Sequence, residues 1–295
     1  MAGGIQRIVV SVLACMAAAP LSAQDENRIT IIADAFGAAA GLERDWGYSA
    51  LLEFNGVRVL FDAGNDSARF ARNAAALGID LTRLDAVVIS HRHGDHTDGL
   101  HHLRAVNPAV KVYAPGDEYF GGPTPAVFFQ RPVPDLPEEQ RYFGGSVPAV
   151  IPHGTPWRGL DLVRGAGGLE LAPGIRLVEN LSSTRAFGET PELSLVVDTP
   201  DGQIVLVGCA HPGIERILSS VHATERPVAL LVGGLHLLTA PDAEVDRVAT
   251  ALRSEWQVKR IAPGHCSGEY AFAALRRVFE DDFVHAGVGT VIRLP

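Results

Sequence analysis

The sequence predicts an α/β chain in which two β-sheets pack face to face with helices on both outer sides, four layers in one domain. Three observations predict it. Short apolar runs alternate with stretches of helical spacing. The second half of the chain repeats the first in outline. And His-Arg-His-Gly-Asp-His, residues 91–96, follows directly on an apolar run, which puts reactive side chains at the end of a predicted strand.

The elements follow in order. Arg28–Ala33, Ser49–Phe54 and Val57–Phe61 read as strands, the last two joined by a hairpin at Asn55-Gly56. Ser67–Leu77 has helical spacing and stops at Gly78. Ala86–Ser90 is a strand that leads into the histidine cluster, His101 and His102 sit on a helix after it, and Lys111–Ala114 is a further strand. From about residue 115 to 174 the chain is rich in proline and glycine, and it reads as a long irregular insertion, either a lid or a surface excursion. Strands resume at Ile175–Glu179, Leu193–Asp198 and Gln203–Val207, followed by a helix at Gly213–Val221 and a strand at Val228–Val232. Ala243–Ser254 is helical, Lys259–Ala262 is a strand, Ser267–Phe279 is helical and Gly287–Leu294 closes the sheet.

Composition narrows the function classes. With 47% apolar and 20% charged residues the chain is of ordinary globular type. A net charge of −9, with Lys111 and Lys259 the only lysines, argues against nucleic acid held by a basic surface. Residues 1–23 read as an export signal: Arg7, the apolar stretch from Ile8 to Leu21, and a cleavage site after Ala23. Val12-Leu13-Ala14-Cys15 offers a lipoprotein alternative. No later segment is apolar enough over its length to span a membrane, so a periplasmic or secreted protein comprising residues 24–295 is expected. Its two cysteines, Cys209 and Cys266, each lie beside a histidine, which favours free thiols near a site over a disulfide framework.

Neutral imidazoles and a carboxylate are the donors that divalent zinc takes at ~2.0–2.2 Å. Three histidines and an aspartate within residues 91–96 therefore point to a metal site, with manganese or iron as alternatives. The His-x-His-x-Asp-His string resembles the signature of the metallo-β-lactamase superfamily. Phe61-Asp62-Ala63-Gly64 is similar to its upstream Asp-x-Gly element. Within the superfamily the chain most resembles the dihydropterin-type synthase-like metal-dependent hydrolases. The matching pieces include Gly208-Cys-Ala-His-Pro-Gly-Ile214, Gly233-Gly-Leu-His-Leu237 and Pro263-Gly-His-Cys-Ser-Gly268.

The resemblance implies an αββα sandwich of the metallo-β-lactamase type with two divalent metal ions, most simply Zn²⁺, at one edge. His91 and His93 would bind the first ion, and Asp95, His96 and His265 the second. The loop Asn180–Glu192, where relatives supply a further histidine, contains none, so His211 is expected to complete the first site. Cys209 stands where a bridging aspartate is usual. It is either a ligand or a neutral neighbour, and in the second case the second ion would bind weakly. His236 and Asp62 are expected behind the ligands or against substrate. Trp46 and Asp98 depart from the branch's usual histidine and glycine on the expected substrate side.

The implied activity is hydrolysis of a small-molecule ester, lactone, amide or phosphoester-type substrate by a metal-bound hydroxide, with Asp95 orienting it or relaying its proton. Two alternatives are a pterin-synthase-like transferase and a non-catalytic binding protein of the same fold. Redox members of the superfamily carry a glutamate where this chain has His93.

Overall fold

Two sheets assemble from strands that are distant in sequence. In this computed structural model, residues 27–117, 131–148, 160–182, 190–221 and 226–295 are described. The expected export segment 1–23, His153, His222 and part of the 115–174 stretch lie outside the described residues.

The first sheet runs β13-β1-β2-β3-β4-β5-β6 and the second β12-β11-β10-β9-β8-β7. Strands β1 (Arg28–Ala33), β2 (Ser49–Phe54) and β3 (Val57–Phe61) are antiparallel neighbours. Asn55 and Gly56 join β2 to β3 with φ of 50° and 80°. Two successive positive φ values define the hairpin turn that an Asn-Gly pair favours. Strands β4 (Ala86–Val88), β5 (Lys111–Ala114) and β6 (Asp161–Arg164) then add in parallel to β3.

In the second sheet β7 (Glu170–Ala172), β8 (Ile175–Ser182), β9 (Thr190–Thr199) and β10 (Gly202–Val207) are antiparallel. β11 (Val228–Gly234) and β12 (Arg260–Gly264) continue in parallel from β10. Chain-terminal β13 (Val291–Arg293) returns to pair with β1 in the first sheet.

Side-chain alternation produces the layers. Ile29, Ile31, Leu52, Val59, Phe61 and Val88 of the first sheet meet Leu177, Leu195, Leu206 and Val232 of the second in one buried core. The opposite face of the first sheet, with Leu51, Leu60 and Val87, packs on Phe70 and Ala74 of helix α1 (Ser67–Ala76) and Leu100 and Leu103 of α2 (Leu100–Val106). The opposite face of the second sheet, with Val205, Val207 and Leu231, packs on α3 (Ile214–Val221), α4 (Asp242–Ser254) and α5 (Glu269–Phe279). Both faces of each sheet are covered, and for that reason β2 and β10 are buried at every position.

The 115–174 stretch departs from the expected irregular insertion. Its described part carries β6 and β7, which extend one edge of each sheet. Leu136 and Tyr142 of the same stretch are buried against Phe36, Trp46 and Phe272. Edge strands form by backbone pairing and need no apolar run, so a composition dense in Pro and Gly conceals them. For the same reason β8 and β9 run longer than the apolar segments, with pairing continuing to Ser182 opposite Thr190. Among the described residues no helix is long and apolar enough to cross a membrane.

Candidate metal centre

The C-terminal ends of parallel strands in both sheets bring the reactive side chains together. Asp62 follows β3, Ser90 and His91 follow β4, and a single 3-10 turn presents Asp95 and His96. From the second sheet, Cys209 and His211 follow β10, His236 follows β11 and His265 follows β12. The backbone is bent sharply at these exits. Asp62, Ala210, His236 and His265 have φ between 48° and 58°, a region non-glycine residues seldom occupy. Such strain persists only where surrounding structure over-determines it, and it concentrates at functional sites. Gly208 is required by close approach, because a Cβ there would fall on Ser90 Oγ and lie 3.0 Å from Asp62 Oδ2.

Among the described residues, four overlapping trios of donors result, and two of them contain no cysteine. His91, His93 and His211 form one and Asp95, His96 and His265 the other, the donor atoms of each lying within 4.8 Å of one another. His91 Nε2 and His93 Nδ1 are 3.0 Å apart, and His96 Nε2 and His265 Nε2 are 3.1 Å apart. Two imidazole nitrogens at ~2.0–2.1 Å from one tetrahedral ion would be about 3.3 Å apart, so both pairs are spaced to share an ion. Asp95 Oδ2 lies 3.4 Å from His265 Nε2.

Groups behind the imidazoles set which nitrogen faces the cavity. Ser90 Oγ–H donates to Asp62 Oδ2 at 2.7 Å, so His91 Nδ1–H donates to Ser90 Oγ at 2.8 Å and His91 Nε2 keeps its lone pair. His96 Nδ1 lies 2.7 Å from Asp62 Oδ2, and His211 Nδ1 lies 3.0 Å from Glu192 Oε2. Both rings thereby turn Nε2 inward, as carboxylate partners do for metal-binding histidines. Glu192 also accepts the backbone N–H groups of Cys209, Ala210 and His211 at 2.7–2.9 Å. Asp34 accepts the backbone N–H of His265 at 3.1 Å, and the Trp46 ring packs 4.7 Å from that of His265.

Electrostatics favour a cation here. Burial drives His91 well below its ordinary value, takes His265 to about 4, and takes His236 to about 3, so these rings stand neutral with lone pairs to give. At His96 burial acts in the same direction, but the carboxylates of Asp62 and Asp95 outweigh it and raise the value. Burial pushes Asp34 up to about 8 despite its backbone donors. Burial also acts to raise Glu192, but the His211 side chain and the N–H groups around it hold it at about 2. The lone pairs of His91 and His265, with the Asp95 carboxylate beside them, fit divalent cations.

The remaining sequence expectations divide. His236 places its ring 4.5 Å from that of His211 but enters neither trio. Cys209 Sγ lies 3.3 Å from His96 Nε2, and both cysteines are buried free thiols. Asp62 stands behind His91 and His96. Asp98 accepts the backbone N–H of Ser67 at 2.8 Å, at the start of α1. His101, His102 and His285 join no donor group among the described residues. Sequence reasoning missed Ser90, Glu192 and Asp34. A usable signal existed for Glu192: it is a carboxylate in the strand run Thr190–Thr199, whose register with β10 carries it past Val207 toward Cys209.

The model of the beta-lactamase superfamily domain matches residues 57–132, which hold β3, β4 and the first histidine cluster. The chain is 25% identical over 270 residues to the 7,8-dihydropterin-6-methyl-4-(beta-D-ribofuranosyl)-aminobenzene-5'-phosphate synthase of Methanocaldococcus jannaschii. That match spans 82% of this chain and 87% of the relative. Among solved structures, a metal-dependent hydrolase of the beta-lactamase superfamily superposes with a TM-score of 0.65 at 25% identity, over 91% of this chain and 99% of that one. A metallo-beta-lactamase fold protein from Bacillus subtilis superposes with a TM-score of 0.53 at 14% identity, over 91% and 99%, a likeness of fold.

Proposed function

Proceeding from a chain that has the metallo-β-lactamase fold and resembles its dihydropterin-type synthase-like branch, we propose a metal-dependent hydrolase acting on a small ester, lactone, amide or phosphoester-type substrate. The observation that carries this reading is the pair of adjacent donor trios fed by strand ends of both sheets. His91, His93 and His211 would hold one divalent ion and Asp95, His96 and His265 the other. Ions of this kind, zinc above all, supply a nucleophile of hydroxide strength near neutral pH and polarise the oxygen that gains charge in the transition state.

The chain's own residues do the rest. Asp62, through Ser90 and His96, fixes two imidazoles of different trios at once. Glu192 fixes His211 by side chain and backbone together. Asp95, with one oxygen 3.4 Å from His265 Nε2, would hold a proton beside that ring and pass it on. Trp46, Leu238 and Cys266 share one buried cluster, with the Trp46 ring against that of His265.

A second reading, transfer chemistry like that of the Methanocaldococcus synthase, draws on the similarity over 82% of the chain. Trp46 and Asp98 weigh against it, because they replace residues usual in that branch. Hydrolysis outside the cytoplasm belongs to the proposal through the export segment 1–23, and N-terminal sequencing of the product made in cells would show whether Gln24 is the first residue.

The test is hydrolysis of a panel of esters, lactones and phosphodiesters before and after chelation. Activity is expected to vanish on chelation and to return with zinc or manganese. Full activity in the chelated His91→Ala, His93→Ala double variant would defeat the reading.

A further inference from the structure

A pocket of about 190 Å³ has no part in the chemistry described so far, yet its walls run back to the metal centre from three sides. Its apolar lining comes from Pro132, Tyr142, Val147, Leu237, Leu238 and Tyr270. Leu237 and Leu238 follow His236 directly at the exit of β11. Tyr270 stands in the first turn of α5, just after the turn that carries His265. The Tyr142 ring lies 5.1 Å from that of Trp46, which lies 4.7 Å from that of His265.

The centre opens toward the same loop. Of the histidines gathered there, His93 and His236 are partly exposed, whereas His91, His96, His211 and His265 are buried. His236 therefore stands at the mouth of the centre, and its two successors line the pocket. Residues 236–238 form a rim common to both.

Size and charge define the occupant. Both charged side chains of the lining are engaged elsewhere. Arg131 pairs with Asp242 and lies over the Tyr270 ring at 5.6 Å. Glu269 accepts the backbone N–H groups of Val133 and Tyr142, one on each carboxylate oxygen. The Tyr270 hydroxyl donates to Asp246 at 3.0 Å. These contacts hold the wall in place and leave an apolar surface facing inward. Val147 stands at the rim, 38% exposed. An apolar cavity of about 150 Å³ holds a benzene molecule, so this pocket suits one ring-sized group.

We propose that this pocket is the subsite for a neutral, ring-sized apolar group of the substrate, with residues 131–147 as its outer wall. The described part of a stretch expected to be a lid or a surface excursion is thereby a specificity wall. The favoured substrates are esters, lactones, amides or phosphoesters that carry a benzyl-sized group away from the bond that breaks. That group is held alike in ground state and transition state, so it lowers KM and leaves kcat. This rests on the metal-dependent hydrolase reading.

The test is steady-state hydrolysis of matched substrate pairs by the zinc-loaded full-length protein. One member of each pair carries a benzyl group and the other a methyl group in its place, in the ester, lactone and phosphodiester classes. Burial of one phenyl ring predicts a KM about tenfold or more lower for the benzyl member, with similar kcat. Val147→Trp, which places an indole at the rim, should abolish most of that difference while zinc stoichiometry stays as in the unaltered protein. Benzyl alcohol, which has no bond to hydrolyse, should compete with the benzyl members in the unaltered protein, and it decides the matter if Val147→Trp fails to fold. Equal KM within the pairs would overturn this inference and leave the hydrolase reading standing. So would an undiminished difference in folded Val147→Trp, or benzyl alcohol that does not compete. No hydrolysis of any pair would overturn the hydrolase reading and this inference together.

Discussion

Replacing Glu192 by glutamine isolates the least visible support of the centre. The carboxylate is fully buried and receives four N–H groups, those of Cys209 and Ala210 on one oxygen and both His211 donors on the other. Whichever way the introduced amide is turned, its NH₂ faces two of those donors. Two hydrogen bonds to a charged group are lost, at ~1.5–3 kcal/mol each, so unfolding free energy should fall by about 3–6 kcal/mol. The depressed carboxyl gives a compatible figure. Lowering the carboxyl from 4.5 to about 2 corresponds to about 3 kcal/mol at neutral pH. A carboxyl depressed in the folded state stabilises fully above its unfolded value of 4.5, and the contribution is lost as pH falls through 2. Less than about half should remain at pH 3. The assay is urea unfolding of chelated protein and variant at pH 7 and pH 3, with the variant less stable at pH 7 and the gap smaller at pH 3. Equal stability at pH 7, or an undiminished gap at pH 3, would refute the reasoning.

Two further substitutions probe the neighbouring supports. Asp62→Asn removes an acceptor that orients His96 directly and His91 through Ser90, so zinc affinity by calorimetry should fall on the order of 10–100-fold; unchanged affinity would exclude that role. Trp46→Ala empties a buried site between Tyr142 and His265 and should cost about 3–5 kcal/mol by urea unfolding, whereas a loss under about 1 kcal/mol would mean the wall collapses freely.

The layers were legible in the sequence because both faces of each central strand are covered, which leaves continuous apolar runs such as Val59–Phe61 and Ile204–Val207. The cluster at His91–His96 was legible because its members are adjacent in sequence. Glu192 and Asp34 were not, since each acts on residues that only strand pairing brings near: Glu192 through the β9–β10 register, Asp34 through the sandwich edge that carries His265. Ser90 was read as the end of a strand, and its hydroxyl acquires meaning only once Asp62 lies across from it. β6 and β7 were hidden by proline- and glycine-rich surroundings.

The central claim is that two metal pockets are built jointly by the two halves of the chain. Equilibrium zinc stoichiometry tests it most directly, measured on chelated and reloaded protein and on His211→Ala and His265→Ala, one second-half residue from each trio. The account predicts two ions per chain in the unaltered protein and one in each variant. Two ions retained in both variants, or none in the unaltered protein, would contradict it.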